Sequence, residues 1–142
     1  MRTTNAAAGP TTTRPRAARW ALGVLQVLLA ALYLFSAFGK ISLDPMVVEG
    51  FAMMGIGPGL TVTIGVIELA AAIGLLIPRL SGLAATGCVV LMTGAVISTL
   101  ATLGGAMVLV PAVVLVCVAV VAWVRRHETV ALVRDPRAAL TR

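Results

Sequence analysis

Four apolar runs, at about residues 20–39, 60–77, 80–102 and 107–124, leave this chain few ways to fold. Each is close to the roughly 20 residues that a helix needs to cross the hydrocarbon core of a bilayer. Backbone N–H and C=O groups find no water there, so each run must satisfy its own as an α-helix. The remaining sequence could not coat such runs in water. Charged residues make up 11% of the chain and hydrophobic ones 60%, whereas a soluble domain carries about 25% charged residues. The expected fold class is all-α: an integral membrane antiparallel four-helix bundle, one domain over about residues 18–126. Residues 1–17 are rich in Thr, Ala, Pro and Arg with no apolar period, and read as a disordered basic tail; 127–142 read as a second basic tail. A cleaved signal peptide is the rival reading of the first run, disfavoured by its length and by the three runs that follow.

The net charge of +6 does not point to nucleic acid, because nucleic-acid binders set their basic residues along a folded face. Here the charges follow the topology. With the N-terminus inside, Arg2, Arg14, Arg16, Arg19, Arg79, Arg125, Arg126, Arg134, Arg137 and Arg142 fall on one side, and Lys40 alone on the other. This bias predicts a multi-pass protein of the bacterial plasma (inner) membrane with both termini cytoplasmic. The expected partner is the lipid bilayer, not nucleic acid. Trp20 and Trp123 stand where interfacial aromatics belong.

Between the first two runs the pattern changes. Asp44-Pro45 has the form of an N-cap followed by proline at the first helical position, and Gly55 that of a C-terminal stop. Met46 to Met54 is too short to span. Val47, Val48, Phe51 and Met54 share one helical face with Glu49 off it, which predicts a short interfacial helix. Gly57-Pro58-Gly59 breaks the chain before the second span, and Gly104-Gly105 forms the turn before the fourth.

Glu68 is the one formally charged residue deep inside a run. It falls about 12 Å from either end of its helix. An acid at that depth costs roughly 2.5–3.5 kcal/mol on insertion scales, so it must face protein or water and find a partner. Thr61, Gly65 and Ala72 lie within about 60° of it on the helical wheel, a groove of small residues that lets another helix approach. Such an acid is either a proton, ligand or cofactor site, or a protonated carboxyl acting as glue between helices. In the first run Gln26, Tyr33, Ser36 and Lys40 lie within about 80° of one another, a polar stripe that should face the bundle interior. Lys40, at the boundary, either snorkels to the headgroups or dips inward toward Glu68. The third run carries many small hydroxyls, most of them expected to serve packing; Ser98, Thr99 and Thr102 lie near its outer mouth and could line a polar entrance. Cys88 and Cys117 read as small hydrophobic residues at similar depth, with a redox pair a weaker alternative. His127 reads as solvated surface. No glycine-rich phosphate loop, metal-ligand spacing or nucleophile–histidine pair is present, so no metal or nucleotide is expected.

Ser36-Ala-Phe-Gly39-Lys40, Gly55-Ile-Gly-Pro58, Gly65-Val-Ile-Glu68, Gly74-Leu-Leu-Ile-Pro78 and Leu91-Met-Thr-Gly94-Ala95 follow one another in an order and spacing that resembles the DoxX-like family of four-helix bacterial membrane proteins. The resemblance covers about residues 18–126. It implies an antiparallel bundle and places Lys40 and Glu68 at the family's polar positions. It also implies a redox-associated role, with a quinone as the candidate cofactor and a membrane or cytoplasmic redox partner. Many relatives have histidine near the end of the third span where this chain has Thr99, which counts against a histidine-dependent role here. The leading expectation is a membrane protein that binds a small lipophilic ligand or quinone around Glu68, with Lys40, Tyr33, Ser36, Gln26 and Thr99 as further candidates. The alternatives are a small proton-coupled transporter, a membrane enzyme acting on a lipophilic substrate, and a structural subunit. Small multidrug transporters share the single membrane glutamate but carry it in their first span.

Overall fold

A computed structural model describes residues 16–134; most of the expected first tail and residues 135–142 of the second lie outside the described residues. The helices are α1 (Arg16–Ile41), α2 (Pro45–Met53), α3 (Pro58–Leu76), α4 (Ser81–Thr102) and α5 (Leu109–Arg134), with a 3-10 turn at Gly105–Val108 ahead of α5. Four stretches are long and apolar enough to cross a membrane: Arg16–Ile41, Pro58–Leu76, Ser81–Thr102 and Gly105–His127. The protein is thus an all-α, multi-pass membrane bundle, as the apolar runs predict.

The helices outrun those runs at both termini. α1 begins at Arg16, and α5 continues past Val124 to Arg134. Hydropathy marks only the part of a helix that sits in hydrocarbon, whereas Ala and Arg are good helix formers in any solvent. The connections are short. Pro58 opens α3, and Gly55 (φ 74°) and Gly104 (φ 64°) take left-handed conformations just past the ends of α2 and α4. Such a residue turns the chain so that the last helical carbonyls regain donors: the Ile56 N–H reaches Phe51 O, and that of Gly104 reaches Thr99 O.

α2 bears out its pattern. Val47, Val48, Phe51 and Met54 are half-buried while Met46, Glu49 and Met53 are exposed. The Asp44 side chain accepts a hydrogen bond from Met46 N at 3.0 Å, the N-cap that Asp-Pro foreshadows. Asp44→Ala should cost about 1 kcal/mol. The loss should be confined to this helix, read as faster amide exchange over residues 46–50 with the four long helices unchanged.

α1 packs broadly on α3 and α4 on α5; α3 and α4 join the two pairs, and α1 meets α5 only lightly. Three close approaches depend on glycine. A Cβ at Gly65 would lie 2.9 Å from Lys40 Cβ, and one at Gly74 2.8 Å from Ala84 Cβ; one at Gly82 would meet Thr129 Oγ1 and lie 2.9 Å from the Arg125 carbonyl. The buried core comprises Leu29, Ala30 and Tyr33 of α1, Ala72 and Leu75 of α3, Ala85 and Cys88 of α4, and Val118 and Val121 of α5. Most of these lie toward the arginine-rich end, where α1 begins and α5 ends. The interior between the helices is filled there. Large apolar side chains such as Phe35, Phe38 and Val90 point outward, as lipid-facing residues do. The hydroxyls of Thr63, Thr86, Thr93 and Thr102 bond to carbonyls four residues back in their own helices, which makes them tolerable in hydrocarbon.

Candidate functional site

The half of the bundle nearer Lys40 is hollow. Residues of α1, α2, α3, α4 and α5 surround a cavity of about 490 Å³, within the roughly 300–1,000 Å³ typical of small-molecule sites. Leu60, Ile64, Leu91, Met92 and Val114 are among its mostly apolar walls. Polarity comes from Tyr33, Ser36 and Lys40 of α1, Glu68 of α3, and Ser98 and Thr99 of α4. Leu32, Leu60 and Val110 belong to the wall yet are 46%, 54% and 70% exposed, so the chamber reaches the lipid-facing surface of the bundle.

Lys40 and Glu68 form a buried ion pair, Nζ to Oε2 at 2.9 Å, with the residues 8% and 3% exposed. Local sequence explains why it forms. Gly65 lies one turn before Glu68 and admits α1 so closely that Lys40 cannot lie over it without turning inward. Nζ also donates to Ser36 Oγ and stands 5.4 Å from the Phe51 ring centroid, a cation–π contact from the short helix. Of the two courses open to Lys40, the structure takes the inward one. The charges cancel locally, so the chamber presents an ion pair with no net charge.

Tyr33 is 2% exposed. Its ring lines the cavity, while its hydroxyl is enclosed in the packed interior, beside the Cys88 thiol and within electrostatic reach of Glu68. The hydroxyls of Ser98 and Thr99 supply the chamber with polar groups apart from the ion pair.

Five of the six candidates from the sequence, Glu68, Lys40, Tyr33, Ser36 and Thr99, meet at this cavity. Gln26 does not. It lies 14 residues from Lys40 on the same stripe, about 21 Å along the helix. There its Nε2 donates to Leu75 O at 3.3 Å and its Oε1 accepts from Arg125 Nη2 at 2.8 Å. Leu75 is in the last turn of α3, whose carbonyls lack helical donors, so Gln26 caps α3 and ties α5 to it. Ser98, expected with Thr99 at a polar entrance, also lines the cavity, whereas Thr102 does not, and the structure adds Phe51. Phe51 was visible in the sequence only as part of an amphipathic face. Cys88 and Cys117 are both free thiols, Cys88 fully buried, and no group of metal ligands occurs among the described residues.

The fold and cavity define a four-helix membrane protein with a polar-lined apolar chamber toward one end. Residues 24–130 match the DoxX-like family, and the chain belongs to it. Among curated proteins and among solved structures, none matches the chain significantly.

Proposed function

We propose that this DoxX-like protein binds a small lipophilic molecule with an uncharged, oxygen-bearing polar end in the cavity around Glu68. One observation carries this reading: an apolar chamber of about 490 Å³ whose wall holds a neutralised Lys40–Glu68 pair and the Ser98 and Thr99 hydroxyls. A charged ligand would bring a charge that the paired Lys40 and Glu68 do not compensate, which is costly away from water. A carbonyl or ether oxygen would instead accept a hydrogen bond from a wall hydroxyl such as that of Ser98 without disturbing the pair. A quinone satisfies both conditions, having carbonyl acceptors and an apolar body, and a redox-associated role would follow from it. The arginine distribution supports a bacterial plasma-membrane orientation with both termini cytoplasmic and the cavity toward the outer face. A proton-coupled transporter would need the Glu68 carboxylate available, and Lys40 engages it directly.

The test uses wild type, Ser98→Ala and Glu68→Gln, purified in mild detergent. Extracted small molecules are identified by mass spectrometry, and a short-chain benzoquinone is titrated into each. Ser98→Ala should weaken benzoquinone binding about 2- to 12-fold, the worth of one hydrogen bond, while leaving thermal stability unchanged. A wild-type protein that carries no lipophilic molecule and binds no benzoquinone would overturn the reading, as would equal binding by all three proteins.

A further inference from the structure

A second concavity lies at the opposite, arginine-rich end, along the lightly packed seam between α1 and α5. It is a groove of about 980 Å³. Arg16 and Arg19 of α1 and Arg125 of α5 stand at its mouth, with the Trp20 ring, 76% exposed, beside them. Its floor is apolar and runs down α1 through Gly23, Val24, Val27 and Leu28. From Arg19 to Leu28 is about 13 Å along the helix, close to the roughly 15 Å of hydrocarbon in one leaflet.

Gly23 lines this floor, and a Cβ placed there would meet nothing within 4 Å. No neighbouring helix fills the space, in contrast to Gly65, Gly74 and Gly82, so it is open to an acyl chain.

We propose that this groove binds one anionic phospholipid, its phosphate held by Arg16 and Arg19 and an acyl chain lying along the floor at Gly23. The charge is complementary: Arg16, Arg19 and Arg125 all line the groove. A zwitterionic lipid carries its own cation, which the arginines repel. A free phosphate or an acidic peptide would use the mouth and leave the apolar floor empty. Basic pockets between membrane helices with a tryptophan at headgroup level suit a lipid phosphate. The site is independent of the Glu68 cavity and stands or falls separately from it.

Native mass spectrometry of the full chain in mixed micelles with phosphatidylglycerol and phosphatidylcholine of identical acyl chains tests this. Wild type should retain phosphatidylglycerol preferentially. Arg16→Gln/Arg19→Gln should lower that affinity about 25-fold, roughly fivefold for each arginine. Gly23→Phe, which keeps every charge and fills the floor, should reduce retention to the level of phosphatidylcholine, whereas Gly23→Ala should not. Helix content and thermal melting verify that each variant is folded, and the two exposed arginines provide a test that does not depend on Gly23→Phe. Equal retention of the two lipids by wild type would overturn the proposal. So would undiminished phosphatidylglycerol binding in the arginine variant or in folded Gly23→Phe. Displacement of the lipid by millimolar inorganic phosphate would assign the mouth to a free anion instead.

Discussion

Lys40→Met should destabilise the protein by about 3–5 kcal/mol, the cost of stripping one partner from a buried ion pair. Glu68 is 3% exposed near the middle of α3, about 15 Å and 12 Å from its two ends. Without the ammonium it is a buried acid with no countercharge. Glu68→Leu should cost less, because Lys40 sits in the last turn of α1 and its long side chain can swing toward the headgroups. The double variant Lys40→Met/Glu68→Leu should recover most of the loss, since replacing both members of a buried pair with apolar side chains is often neutral. Thermal unfolding in one detergent, followed by circular dichroism, ranks the four proteins. If all lie within about 1 kcal/mol of wild type, the pair behaves as a surface salt bridge and its burial carries no energetic consequence.

The second large effect is expected at Gly65. A Cβ there would lie 2.9 Å from Lys40 Cβ, 3.0 Å from Ile41 Cγ1 and 3.2 Å from the Ala37 carbonyl oxygen. Two of these three atoms are fixed by the path of α1 itself, so Gly65→Val has to push the helices apart. Overpacking of this kind costs about 1–3 kcal/mol. It should also lengthen the Lys40–Glu68 contact, so that benzoquinone binding falls along with stability. Gly87→Ala is the matched control: a Cβ there meets nothing within 4 Å, and the exchange should stabilise α4 by up to about 1 kcal/mol. Melting both variants beside wild type checks the contrast. A Gly65→Val protein as stable as Gly87→Ala would mean that α1 and α3 have room to spare.

Much of this architecture was legible in the sequence because the bilayer enforces it. A run of about 20 apolar residues has one backbone solution, so the four helices and their order follow from hydropathy. The Asp44-Pro45 cap, the face of α2 and the buried groove of α3 follow from spacing. The inward stripe of α1 was equally readable, but a helical wheel has no depth axis. Gln26 and Lys40 share an angle and stand about 21 Å apart, so one caps α3 while the other joins the cavity. Whether Lys40 would turn inward was undecidable from α1 alone; the answer lies in Gly65 on another helix. The hollow itself left no trace in the pattern, because it arises where α2 and the adjoining turns of four helices leave a space that their turns at the arginine-rich end close.

The Lys40–Glu68 pair also bears on how the chain is built. Lys40 is synthesised 28 residues before Glu68, so α1 is complete, with its amine at its last turn, when the acid-bearing α3 leaves the ribosome. A lone glutamate at mid-bilayer opposes insertion by roughly 2.5–3.5 kcal/mol, and a helix already in place with a cation and a glycine-sized slot opposite offsets that penalty. The same contact that neutralises the chamber in the finished protein would therefore also ease the insertion of α3, with α1 as its landing place.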